Sequence, residues 1–241
     1  MPTYYLIDQE YRVDEESLFA TMGHLLVFNP GQRDLELEAT VYFEGAEPKT
    51  FALPAPAGQS TESNYANWPV EPNTLFALAV ESPEPVACQC TIGWNVTNND
   101  YAPQAATKSP LGVRECAKSY AAIVALSREW YLPDGIVIDN PDGCYVRESE
   151  WAVVLNPGRQ DARVTMVLHY ANGIREHEVK VPAQRLRRVP MDDLARRNAH
   201  YGVHFRTDQP VAAQWLRAVN WNDRDELMAF WSVPCVPGPL K

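Results

Sequence analysis

Long apolar runs are missing from this 241-residue sequence. No stretch approaches the roughly 18 residues that carry a helix across a bilayer, so membrane insertion is not expected. The first residues, MPTYYLIDQEYRVDEE, lack a basic start followed by an apolar segment. That reads as no secretory signal and places the protein in the cytoplasm. Cysteine is scarce and poorly spaced: Cys88, Cys90, Cys116, Cys144 and Cys235 form an odd set with no CxxC. Neither a disulfide framework nor a zinc knuckle follows from it. Cys88 and Cys90, two apart in an apolar run, read as small hydrophobes on one face of a strand. Also absent are GxSxG, a Walker loop and HExxH, and no cysteine has a conspicuous local histidine partner. The expectation is therefore a protein that is not an enzyme and needs no cofactor.

The five histidines offer little for a metal. His200 and His204 are four apart in HYGVHF, a spacing that suits a helix but works against a shared site on a strand. His169 and His177 flank a hairpin and could approach each other, with no carboxylate or thiolate to complete a ligand set. Charge excludes another class. The net charge of −10 is uneven, with 8 Lys+Arg against 22 Asp+Glu in residues 1–150 and 13 against 9 in 151–241. So acidic a chain is not built to coat nucleic acid, and the basic cluster of Arg185, Arg187, Arg188, Arg196 and Arg197 reads as a solvated or salt-bridged face.

What the sequence does contain is the same text twice. VFNPGQRDLELEATVYF begins at residue 27 and VLNPGRQDARVTMVLHY begins at 154. After each NPG come a strand, a turn and a short PA-containing run, FALPA against VKVPA; then SPEPVACQCTIGWN matches TDQPVAAQWLRAVN. On this matching Pro54 pairs with Pro182, Pro85 with Pro210, Gln89 with Gln214 and Asn95 with Asn220. Self-similarity over about 75 residues is the scale of a duplicated domain, not of a solenoid repeat of 20 to 50.

Periodicity supplies the fold class. Leu35, Leu37, Ala39, Val41 and Phe43 alternate with polar residues, and Val164, Met166, Leu168 and Tyr170 do the same in the second copy. Period two indicates half-buried strands. NPG is turn chemistry, and ANG before IREHEVKV is a hairpin signal. Only MDDLARRNA suggests a helical turn or short helix. The expectation is an all-β protein: two tandem antiparallel β-sandwich domains arising from internal duplication, 1–125 the diverged repeat and 126–241 the second. SYAAIVALS is a candidate closing strand for the first. Tyr4, Tyr5, Trp68 and Trp94 read as exposed aromatics and suggest association of the chain, to a homo-oligomer of two copies.

WYLPDG at 130–135, EWAVVLNPG at 150–158, DARVTMVLHYANG at 161–173, VPAQR at 181–185, DQPVAAQWLR at 208–217 and DELMAFWSV at 225–233 follow one another in a specific order. In this order the second half resembles the sensory rhodopsin transducer family, small soluble β-sandwich proteins. The resemblance implies a non-enzymatic, oligomerising protein that binds a small ligand or a signalling partner. The first half keeps the framework but lacks the WxxxDG piece and has Ile92 where the second half has Arg217. It reads as a structural copy.

That difference selects a candidate site. Val86, Cys88, Cys90 and Ile92 share a face, as do Val211, Ala213, Trp215 and Arg217, so an arginine ends a core-facing row. Arg217 reads either as a strand-end side chain packed along its stem or as a guanidinium offered to an anionic or hydroxylated ligand. With Trp130, Asp134, Glu150 and Trp151 it forms a ligand-binding set for a carbohydrate or similar polyol: indole rings for the C–H face, planar polar groups for the hydroxyls. Gln89 and Gln214, on the opposite face, read as backbone or subunit contacts.

Overall fold

The computed structural model describes residues 1–11, 13–14, 19–95, 115–138, 146–221 and 227–238. Most of these form strands, and the described residues contain no α-helix. Two compact units emerge: Met1–Phe43 with Pro48–Val124, and Ala125–Lys241 with Glu44–Glu47. MDDLARRNA is a run of turns, with Leu194 N and Ala195 N both donating to Met191 O. Among the described residues no helix is long and apolar enough to cross a membrane.

The strands of the first unit are β1 (Thr3–Tyr11), β2 (Val13–Asp14), β3 (Phe19–Phe28), β4 (Leu35–Phe43), β5 (Lys49–Ala55), β6 (Ser60–Asn64), β7 (Thr74–Glu81), β8 (Ala87–Asn95) and β9 (Glu115–Ala121). One sheet runs β1-β7-β4-β5; the other runs β2-β3-β8-β9 with β6 on the outer side of β3. All pairings are antiparallel. The alternation predicted for β4 holds, with Leu37, Ala39 and Val41 buried, as are Leu25 of β3, Leu78 of β7 and Cys90 of β8. The closing strand is Glu115–Ala121, which includes the SYA of the expected segment.

The second unit contains β10 (Ser127–Gly135), β11 (Val146–Asn156), β12 (Ala162–Tyr170), β13 (Gly173–Val181), β14 (Arg185–Pro190), β15 (Tyr201–Trp221), β16 (Leu227–Pro234) and β17 (Val236–Pro237). β15 belongs to two sheets. Its first half pairs with β12 and β10, and from Ala212 onward it pairs with β11, then β16. Read by halves, the orders are β10-β15-β12-β13 and β14-β11-β15-β16, the same orders as β1-β7-β4-β5 and β6-β3-β8-β9. Where the first unit breaks the long strand at Ser82–Val86, the second carries it straight through Gln209–Val211.

One side chain explains why NPG is written twice. Asn29 Nδ2 donates to Arg33 O at 2.9 Å and Ala55 O at 2.8 Å, while its Oδ1 accepts from Gly31 N at 2.9 Å. Asn156 does the same with Gln160 O at 2.8 Å, Val181 O at 3.1 Å and Gly158 N at 3.0 Å. Each buried amide thus ties the end of a central strand to the loop that crosses to the other sheet. Beyond it, Ala57 N donates to Asp34 and Ala183 N to Asp161, at 2.8 and 2.9 Å. Gly58 and Gln184 follow, both with positive φ, at 65° and 54°.

These bonds correct one sequence pairing. LPAPA contains PA twice, and matching text takes the first, but the residue equivalent to Pro182 is Pro56, since Ala57 occupies the place of Ala183; Pro54 lies within β5. The exposed-aromatic reading also changes. Tyr4 and Trp68 are buried, Tyr5 is half-buried, and the side chain of Trp94, like Cys144, lies outside the described residues. Cys88 and Cys90 are core, as expected, and burial pushes the Cys88 thiol up to about 12.

The Asn156→Ala variant strands the carbonyls of Gln160, Val181 and Pro182 and the Gly158 N–H. At roughly 1 kcal/mol for each net bond, plus desolvated groups left unpaired, it should lose about 2–4 kcal/mol in urea unfolding, with Asn29→Ala losing a similar amount. A loss under half a unit for both would remove the amide from its anchoring role.

Candidate functional site

Glu150 is the centre. On β11 it faces inward, it pairs across the ladder with Arg217 of β15, and it is 0% exposed. A carboxylate so placed needs donors on every lone pair. Arg217 Nε and Nη2 reach Oε1, both at 2.6 Å; Ile136 N donates to Oε2 at 2.9 Å and the Tyr201 hydroxyl donates to it at 2.5 Å. Burial raises the Glu150 carboxyl above its ordinary value, and the bonds from Tyr201, Ile136 and Arg217 pull against that shift. The Tyr201 hydroxyl is raised too, by burial first and by the neighbouring carboxylate second. Asp192, in the turn after β14, accepts from Ser149 Oγ at 2.9 Å and Glu150 N at 3.3 Å and so holds the strand that carries Glu150.

The mouth of this cluster is acidic. Besides Glu150, Arg217 Nη1 lies 3.8 Å from Asp134 and 3.9 Å from Glu148, and Nη2 donates to Asp134 O at 3.3 Å. The Arg217 side chain is 11% exposed, Glu148 19% and Asp134 65%. His200 stands 3.5 Å from Asp134 on the outer side. A bulge between Leu132 and Gly135 turns the Asp134 side chain outward. With three carboxylates around one guanidinium, the open atoms are acceptors, suited to hydroxyl donors rather than to an anion.

The two tryptophans of the sequence-derived set are not part of this arrangement. Trp130 is 1% exposed in the core, its indole N–H donating to Val211 O at 3.0 Å and to Ser127 O at 3.2 Å. It joins β10 to β15 and offers no stacking surface. Trp151 follows Glu150 on the strand, so it points to the other side of the sheet, where the Arg188 guanidinium lies 4.6 Å over its ring. Asp134, Glu150 and Arg217 are therefore brought together without an aromatic floor. Glu148 and Tyr201 were missed. The i, i+2 spacing of Glu148 and Glu150 on a strand was the available signal for the first; Tyr201 had none, because its contact follows from β15 passing into both sheets.

The histidines are dispersed. His177 lies opposite Met166 and His169 opposite Ile174, which puts them on opposite faces of the hairpin. Among the described residues no group of three His, Cys, Asp or Glu is placed to hold a metal ion.

The same end of the first unit is built differently. The register that sets Glu150 against Arg217 sets Gly23 against Ile92. The ring of Tyr65 fills the space over Gly23, so a Cβ there would meet Tyr65 Cζ at 1.7 Å. The Tyr65 hydroxyl donates to Gln9 at 2.9 Å, and the ring packs edge-on against Phe76 and Trp68. In the second unit the positions are exchanged: Gly135 gives room to the Tyr201 ring, whose Cε2 would sit 2.5 Å from an added Cβ.

Arg217→Ile, which copies the first unit, leaves the Glu150 carboxylate buried against Tyr201 and Ile136 alone. Breaking such a pair costs about 3–5 kcal/mol. The Glu150 carboxyl is already raised in the folded state, and losing the guanidinium raises it further. Its contribution to stability is then present below the unfolded value of about 4.3 and lost as pH climbs through the folded value. The variant's deficit in urea unfolding should be larger at pH 7 than at pH 4, and addition of Glu150→Leu should recover part of it. Equal deficits at both pH values would show that Glu150 is not the group left uncompensated.

Among curated proteins, no sequence matches this chain. A solved structure described as that of Thermotoga maritima 1070 is 18% identical, with a TM-score of 0.40, over 46% of this chain and 95% of that one. The Anabaena sensory rhodopsin transducer is 20% identical, with a TM-score of 0.32, over 38% of this chain and 95% of that one. Residues 126–232 match the family model described as Anabaena sensory rhodopsin transducer. That match lies within the second unit, which carries the Glu150–Arg217 cluster and over this span is similar to the sensory rhodopsin transducer family.

Proposed function

We propose that this chain is a non-enzymatic binding adaptor of the sensory rhodopsin transducer type, with one ligand site at the Arg217 mouth of its second unit. The first unit is then a diverged duplicate that keeps the framework. The supporting observation is the asymmetry between two units of equal topology: a buried ion pair opening onto Asp134 and Glu148 in one, Gly23, Ile92 and the Tyr65 ring in the other. Burying a charged pair has a desolvation cost that an apolar filling avoids. Retaining it where the first unit has an apolar solution favours a role beyond stability.

The ligand class that fits is a carbohydrate or similar polyol, whose hydroxyls donate to the outward carboxylate oxygens while the guanidinium holds those carboxylates in place. Without an indole floor the ligand would be held by its edge, through hydroxyls. Occupancy would be communicated to a signalling protein. The competing reading is an assembly protein that needs no ligand.

Asp134 separates binding from folding, since its carboxylate is largely exposed. In a thermal-shift screen with sugars, sugar acids and polyols at millimolar concentration, at least one should raise the melting temperature of the wild-type chain. Asp134→Asn should melt within a degree of wild type and bind about 10 to 100 times more weakly, as loss of one charged hydrogen bond worth roughly 1.5–3 kcal/mol requires. No stabilisation by any of these compounds would favour assembly, and unchanged affinity in Asp134→Asn would move the site elsewhere.

A further inference from the structure

Trp215 lies on β15 two residues before Arg217, on the same inward face and one rung deeper, opposite Ala152 of β11. It is 2% exposed, and its indole Nε1 is buried with no hydrogen-bond partner. Buried N–H groups are nearly always bonded, because an unpaired one gives up its hydration and receives nothing in return. An imidazole can meet this demand by changing tautomer, which is open to the buried ring nitrogens of His177 and His204. An indole cannot. It carries one donor and no acceptor, so the group missing beside Trp215 is an acceptor. Trp130, in the core of the same unit, shows the usual solution, with Val211 O at 3.0 Å and Ser127 O at 3.2 Å from its Nε1.

The carboxylate on the adjacent rung is fully engaged. Each oxygen of Glu150 already accepts twice, from Arg217 Nε and Nη2 on one side and from Ile136 N and the Tyr201 hydroxyl on the other. The first unit resolves the same position with a side chain. By register Cys90 is the equivalent of Trp215, and its thiol donates at 3.0 Å to Gln9 Oε1, the oxygen that also accepts from the Tyr65 hydroxyl. Gln9 and Gly135 are equivalent in turn, since each resumes its ladder after a bulge, opposite Phe76 and Tyr201 respectively. The second unit therefore has a stronger donor on this rung and no side chain where the first keeps its acceptor oxygen. None can be added there, because the Tyr201 ring would lie 2.5 Å from a Cβ at Gly135.

We infer that the second unit encloses a binding site for one neutral oxygen, a water molecule that accepts from Trp215 Nε1. The Tyr201 hydroxyl is its second partner. That hydroxyl gives its hydrogen to Glu150 and keeps a lone pair for a hydrogen of the water, and its ring packs edge-on against Trp215 with centroids 6.2 Å apart. One donor and one acceptor meet the minimum of about two polar partners that interior waters have. An ion does not suit the place: a cation would face the indole N–H, and an anion would lie one rung from the Glu150 carboxylate. The water extends the Glu150 network inward to Trp215. The site stands whether or not a ligand binds at Arg217.

The test needs no variant in its first form, a crystal structure of the full chain at a resolution that shows ordered water. A water is expected about 2.8–3.1 Å from Trp215 Nε1 and within hydrogen-bond reach of the Tyr201 hydroxyl. No water at that distance overturns the inference. In solution the indole N–H groups of the seven tryptophans give separate proton–nitrogen signals, and Trp215→Phe identifies the relevant one by its loss. That signal should show a nuclear Overhauser cross-peak to water. Absence of the cross-peak, which together with an upfield proton shift marks an N–H directed at a ring face, overturns the inference. Tyr201→Phe, which copies Phe76 of the first unit, should weaken the cross-peak several-fold while the indole signal remains, and so marks the signal should Trp215→Phe fail to fold. An unchanged cross-peak in a folded Tyr201→Phe chain overturns Tyr201 as the second partner.

Discussion

Asn29 and Asn156 set the geometry on which everything else in their units is built. A sandwich of short strands has few ways to fix where one sheet ends and the crossing to the other begins, because ladder bonds specify neighbours within a sheet only. The buried carboxamide supplies that connection: two or three carbonyls of the crossing loop and one N–H of the turn are gathered on one side chain. No other residue has two donors and an acceptor at that reach, so the dipeptide context follows. Proline restricts the turn after the Asn, and glycine leaves room for the carboxamide oxygen, which lies 3.0 Å and 3.1 Å from where a Cβ would stand at Gly31 and Gly158.

With the frame held in this way, the interior at the far end of each sandwich can be filled by different chemistry. Glu150 and Arg217 on one side, Gly23 and Ile92 on the other, occupy equivalent rungs. The exchange is compensated locally. A large aromatic enters from Tyr65 in the first unit and from Tyr201 in the second, and in each case a glycine sits beneath the ring, Gly23 or Gly135. The ion pair Glu150–Arg217 is present at one end only. Close packing explains why the changes come as a set: neither Glu150 with Tyr65 nor Gln9 with Tyr201 would fit the same space.

Much of this was readable from residues alone, and the boundary of what was readable is physical. Alternation along Leu35–Phe43 and Val164–Tyr170 reports burial directly, so the all-β fold class and the inward rows ending at Ile92 and Arg217 were accessible. Glu150 and Arg217 were named from the departure of one half from the other, and they do meet. Trp130 and Trp151 were grouped with them because aromatic plates suit a sugar, but composition carries no direction. Trp130 faces the core and Trp151 the opposite side of β11, as strand parity from the adjacent Glu150 would have indicated for the latter. The bulge that frees Asp134, and the continuity of β15 that brings Tyr201 to Glu150, are long-range outcomes with no local signature.

The continuity of β15 has one more consequence. In the first unit the turn at Ser82–Val86 separates β7 from β8, so each sheet can adjust without the other. In the second, Tyr201 and Arg217 lie on one unbroken strand whose first part belongs to the β12 side and whose second part belongs to the β11 side. Both bond to the same carboxylate, Glu150, at 2.5 and 2.6 Å. The carboxylate thus closes a loop of rigid connections from one sheet, through the strand, to the other. The polar cluster and the unbroken strand occur in the same unit, the strand bringing Tyr201 and Arg217 to one carboxylate from the two sheets.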